Sequence, residues 1–188
     1  ALAEWNNGGT VEQQAGTFMH ELGHNLGLSH GGGADLATNN KPNYLSVMNY
    51  LFQMRGLRIN GKDSHFDYSR FELPSLDENS LSEPSGLGNT TPAGYGTRYY
   101  VGDNVRIVDY ANDSIDWNGD SLIDYQHTEV ANINNDRSQN DSPVLGVLTG
   151  HNDWPGLVYG GGSIGDAGLS YSPPMVTNAS DELTQSQD

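Results

Sequence analysis

His20-Glu21-Leu22-Gly23-His24-Asn25-Leu26-Gly27-Leu28-Ser29-His30 is the stretch from which the rest of the chain is read. Residues four apart on a helix lie one turn above each other on the same face. His20 and His24 can therefore offer imidazole nitrogens to one ion at about 2.0–2.1 Å from each. Glu21 stands beside the first of them, where its carboxylate reaches a water held at the ion without ligating it. A third ligand in tetrahedral geometry cannot come from the same straight helix, so the chain has to turn. Gly27 permits that turn, having no Cβ to penalise positive φ, and His30 is then delivered from below. Three neutral imidazoles leave a zinc ion net positive with one position open, an arrangement that lowers the pKa of bound water to about 7. The competing reading is three ordinary surface or core histidines. It needs Gly27 and His30 to fall at fixed spacings by coincidence, on top of the HExxH pair.

Outward from this stretch, Thr10-Val11-Glu12-Gln13 has the capping-box form, with Thr10 as N-cap and Gln13 at N3. These signals predict a helix from about Val11 to about Asn25, ending in a left-handed turn at Gly27. Phe18, Leu22 and Leu26 are spaced to face a core. Residues 1–5 read as the tail of a strand and 6–9 as a turn. Beyond Gly31-Gly32-Gly33 the chain reads as loop, apart from a short apolar stretch over 45–52 around Met48. Residues 63–97, with Pro74, Pro84 and Pro92 among Ser, Asn and Gly, suggest long excursions with one short helix near 75–82. Residues 99–110 alternate as a strand does, 113–141 are rich in Asp and Asn, and the tail beyond Tyr171 is polar and expected to fray.

The motif HExxHxxGxxH followed by a methionine turn, here Ser46-Val47-Met48-Asn49-Tyr50, resembles the signature of the metzincin clan of zinc metallopeptidases. The Met-Asn-Tyr turn is closest to secreted bacterial pappalysin-like and serralysin-like enzymes, and the likeness covers roughly residues 10–55. It implies His20, His24 and His30 as zinc ligands, Glu21 as catalytic base and Met48 as a hydrophobic floor beneath the metal. By itself Met48 reads as a plain core residue. Two readings fit Tyr50. By resemblance it is an extra ligand or oxyanion stabiliser; by itself it is a packed tyrosine with a hydrogen-bonded hydroxyl. Residues 49–55 would wall the pocket for the side chain after the scissile bond.

The fold class implied is α+β: a metzincin-like catalytic fragment with an active-site helix and a loop-rich C-terminal subdomain. Only 19 residues precede His20. The N-terminal sheet is therefore expected to be mostly absent from this chain, and the missing part of its own precursor becomes a candidate partner.

Asp116-Trp117-Asn118-Gly119-Asp120-Ser121-Leu122-Ile123-Asp124 carries oxygen side chains at positions 1, 3, 5 and 9 of an EF-hand-like loop, with the Leu122 carbonyl at position 7. It departs from the full pattern at position 12, which is His127, and Gly119 precedes the position where glycine is usual. Calcium held by Asp116, Asn118, Asp120, Leu122 and Asp124 is one reading; a solvated Asx-turn cluster is the other. His65, His127 and His151 lack ligand spacing and read as surface residues.

With 24 acidic against 8 basic residues and no basic patch, the net charge of −16 argues against nucleic acid and anionic membranes as partners. No cysteine is present, which excludes thiolate zinc sites, disulfides and thiol catalysis. No apolar run is long enough to span a bilayer. The expected organisation is a zinc-binding core over 1–110, an Asp/Asn-rich segment over 111–170 and a flexible tail over 171–188. The expected function is a secreted or periplasmic zinc endopeptidase acting on protein or peptide substrates. The alternative is a calcium-dependent binding or structural module with a vestigial or incomplete zinc site.

Overall fold

In the first helix, Gln13 donates its backbone N–H to the Thr10 hydroxyl at 3.3 Å, and Thr10 donates its own to Gln13 Oε1 at 2.8 Å. This reciprocal cap fixes the start of α1, which spans Val11–Asn25. The computed structural model that shows this describes residues 9–33, 35, 38–138 and 140–159. At the other end Gly27 takes φ +88°. The N–H of Leu28 then reaches Gly23 O at 2.9 Å and that of Gly27 reaches His24 O at 3.0 Å. This double closure of the last turn satisfies carbonyls that a helix end otherwise leaves unpaired.

The face that α1 buries differs from the one its apolar spacing suggests. Gly16, Thr17, His20 and Gly23 are buried, whereas Phe18 is 65% and Leu22 36% exposed; Leu26 is half-buried. Small residues win because neighbouring backbone comes right up to the helix. A Cβ on Gly16 would sit within 1.8 Å of Gln53 O, at the end of a second short helix α2, Tyr50–Gln53.

Beyond α2 the described residues make three antiparallel two-stranded ribbons. β1 (Leu57–Ile59) pairs with β2 (Lys62–His65), β3 (Leu76–Asp77) with β6 (Val147–Leu148), and β4 (Thr97–Val101) with β5 (Asn104–Val108). The helix expected near 75–82 is not formed. That stretch instead holds β3, and a 3-10 turn follows at Glu83–Ser85. The alternation over 99–110 is real but belongs to the hairpin β4–β5, broken at Gly102, whose φ of +58° turns the chain.

Two apolar clusters hold these pieces. The larger draws Leu45, Phe52 and Leu57 together with Ala111, Ile115, Trp117, Ile133 and Leu148, so it takes residues from both sides of position 110. The smaller, Leu28, Tyr44, Val47, Met48 and Tyr68, sits against α1. The strand expected over residues 1–5, the turn expected over 6–9 except Gly9, and the tail beyond Tyr171 lie outside the described residues. No helix among the described residues is long and apolar enough to cross a membrane.

Candidate metal centre

The helix and the turn at Gly27 bring three imidazoles together. His20, His24 and His30 place their Nε2 atoms 3.1–3.2 Å from one another. His20 is fully buried and His24 half-buried. The other nitrogen of two of these rings is tied to backbone: His20 Nδ1 lies 2.8 Å from Val47 O, and His24 Nδ1 3.0 Å from Leu28 O. A carbonyl only accepts, so each Nδ1 carries a proton, and in the neutral ring Nε2 is the nitrogen with a lone pair to offer a metal ion. Ligating histidines are typically held by this kind of second hydrogen bond. The spacing is close to the roughly 3.3–3.4 Å between nitrogens that a tetrahedral ion with bonds of about 2.0–2.1 Å demands. The donor set therefore fits zinc.

The turn at residues 46–49 packs against α1 at the triad, with Val47 O on His20 Nδ1. Met48 is fully buried, and a Cβ on Gly23 would meet its sulfur at 2.2 Å and the Tyr68 ring at 2.9 Å. Gly23, between His20 and His24, is thus the position that lets Met48 press against the helix. Tyr68 adds a hydrogen bond from its hydroxyl to Met19 O at 2.7 Å, and burial pushes its pKa up to about 12.

Asn49 shapes the turn from both ends of its amide. Nδ2 donates to Lys41 O at 2.7 Å and Tyr44 O at 2.9 Å, while Oδ1 accepts from Leu51 N at 3.1 Å and caps α2. The Tyr50 ring centroid lies 4.7 Å from that of His30 and 5.7 Å from that of His20. Glu21 is exposed on α1 next to His20.

Several residues that hold this site carried no sequence signal. Asp153 is fully buried, accepting from Tyr44 Oη at 2.7 Å, Ser46 Oγ at 2.6 Å and Ser69 N at 2.9 Å. Burial pushes its carboxyl above the usual range, against the pull of those hydrogen bonds. The Lys41 ammonium, also fully buried, donates to Gly31 O next to the third histidine and pairs with Asp35 at 3.1 Å. Burial pushes its pKa down, and Asp35 opposes that. His151 was expected on the surface. It is half-buried instead, packed over Gly32 and Gly33 just beyond His30. His65 and His127 are exposed, as expected.

The acidic segment turns its carboxylates onto its own backbone. Asp116 accepts from the N–H groups of Gly119, Asp120 and Ser121, Asp120 from that of Leu122, and Asp124 from that of Gln126. That bond and a second from His127 N at 3.1 Å hold the Asp124 carboxyl below its ordinary value. Buried Glu83 anchors the segment, accepting from Trp117 N and Asp124 N. Asn118 donates to Glu129 at 3.1 Å. Ser121, the sixth residue of the loop, takes φ +72°. Among the described residues, the histidine triad is the group of three or more His, Asp or Glu side chains whose ligand atoms lie within 4.8 Å of one another. Asp116, Asp120 and Asp124 are not brought together in that way.

No family model, curated protein or solved structure matches the chain.

Proposed function

We propose that the protein is a zinc-dependent hydrolase of peptide bonds, of the metzincin type that its motif resembles. The observation that carries the reading is the convergence of three Nε2 lone pairs, two of them fixed by backbone carbonyls, beside an exposed glutamate on the same helix. His20, His24 and His30 would hold the ion. An ion bound there would supply Lewis acidity. Glu21 supplies the base, taking a proton from the attacking water and passing it to the leaving amine. Met48 and Gly23 keep the helix and the turn in register beneath the ligands. Tyr50, whose ring lies beside those of His20 and His30, would by resemblance stabilise the developing oxyanion.

The test separates the base from the ligands. Glu21→Gln should bind zinc as the wild type does and lose about 10²–10⁴-fold in casein hydrolysis, the usual contribution of a positioned base. Full activity in that variant removes Glu21 from the mechanism. Zinc binding by the wild type without turnover favours the alternative, a binding module that keeps its metal.

A further inference from the structure

We infer that Asp153, far along the chain from the triad, is a positioning residue that sets the orientation of the first ligand, His20, through a single peptide plane. The inference rests on reading the triad as a zinc centre, and it needs no hydrolysis.

The path is short and each link is a hydrogen bond. Asp153 Oδ2 accepts a hydrogen bond from the Ser46 hydroxyl at 2.6 Å. With its proton committed there, Ser46 Oγ has lone pairs free to accept, and it accepts from Met48 N at 3.2 Å. Met48 N–H and Val47 C=O belong to the same planar peptide unit. Holding the N–H therefore aims the carbonyl on its other side. That carbonyl accepts from His20 Nδ1 at 2.8 Å, which fixes the ring and leaves Nε2 as the ligating atom. Val47 N donates to Asp67 O at 3.0 Å and secures the residue from the preceding side. The remaining bonds of Asp153, from Tyr44 Oη and Ser69 N, hold the carboxylate but do not pass through this plane.

A purely structural role for Asp153 makes a different prediction from a positioning role, because its two side-chain donors diverge. Ser46→Ala cuts the path to His20 and leaves the Tyr44 bond. Tyr44→Phe removes the other bond and leaves the path. Both remove a buried hydrogen bond and lower the melting temperature of the metal-free protein.

The measurements are zinc affinity, by competition with a chromogenic chelator, and the visible spectrum of the cobalt-substituted protein. Ser46→Ala and Asp153→Ala should each weaken zinc about tenfold, the low end for outer-shell partners of metal ligands, and shift the cobalt bands. The Ser46→Ala/Asp153→Ala double variant should be no weaker than Asp153→Ala alone. Tyr44→Phe should keep the wild-type affinity and spectrum. If Asp153→Ala does not fold, the Ser46 and Tyr44 arms decide the matter. Equal losses in those two arms, or none in Ser46→Ala, overturn the inference while leaving the zinc centre standing. A wild type that takes up neither zinc nor cobalt overturns the zinc reading itself, and the inference with it.

Discussion

Gly23→Ala adds one methyl group at the tightest contact between α1 and the turn beneath it. The new Cβ would lie 2.2 Å from Met48 Sδ, 3.3 Å from its Cε and 2.9 Å from Tyr68 Cε1. Carbon atoms in packed interiors prefer about 3.5–4.0 Å, so the sulfur would have to retreat by more than an ångström. Met48 has no free volume to retreat into, being fully buried among Leu28, Tyr44, Val47 and Tyr68. Overpacking of this kind costs about 1–3 kcal/mol, and two colliding neighbours argue for the upper part of that range. Alanine is the better helix former by about 1 kcal/mol, which offsets part of it. The expected net loss is about 1–2 kcal/mol, read from urea unfolding of the metal-free protein. A double-mutant cycle isolates the contact. Met48→Ala alone opens a cavity and should cost about 2–5 kcal/mol, but in the Gly23→Ala background the added methyl occupies part of the vacated space. The pair should therefore couple favourably by at least about 1 kcal/mol. Additivity of the two substitutions, or a Gly23→Ala protein more stable than the wild type, would refute the close packing of Met48 on the helix.

Two further outcomes test the frame around the site. Gly27→Ala meets no atom within 4 Å, so its cost is the backbone strain of φ +88° alone; a loss of about 1–2 kcal/mol in urea unfolding is expected, and wild-type stability would show that the turn is not left-handed in solution. Glu78 is buried, and burial raises its carboxyl despite hydrogen bonds from Gly146, Ile133 and Asn134. A pKa raised on folding gives stability that is complete below the unfolded value of 4.5 and lost as pH rises through the folded value. The stability difference between wild type and Glu78→Gln should therefore shrink as pH rises from 4 toward 7 in a urea titration. A difference that grows over that range would mean that the hydrogen bonds outweigh burial.

The parts of the molecule that could be read in the sequence are those whose causes are local. The capping box at Thr10 and Gln13, the glycine at 27 and the i, i+4 histidines all act within one turn, and α1 came out at the expected bounds. Apolar spacing along the same helix misled, because Phe18 and Leu22 report an amphipathic pattern while close backbone approach at Gly16 and Gly23 decides which face is covered. β3 was invisible for another reason: Leu76 and Asp77 become a strand only because Val147 and Leu148 arrive to pair with them. Asp153 is the extreme case. Its partners lie 84 to 109 residues earlier in the chain, and nothing in its own neighbourhood marks it as buried.

The same separation bears on the order in which the molecule assembles. The three histidines fall within eleven residues, so an ion can be chelated by a short, locally folded piece as soon as that piece exists. The bond from Tyr44 to Asp153 closes a loop of 109 residues, an entropic cost of about 4 kcal/mol before any contact repays it. If the triad binds metal as proposed, chelation would be fast and local, while the lock on the turn beside it is slow and distant. On a ribosome the triad emerges more than a hundred residues ahead of its lock, so under the proposed zinc reading the nascent chain would meet metal with a site whose geometry is completed only when Asp153 arrives.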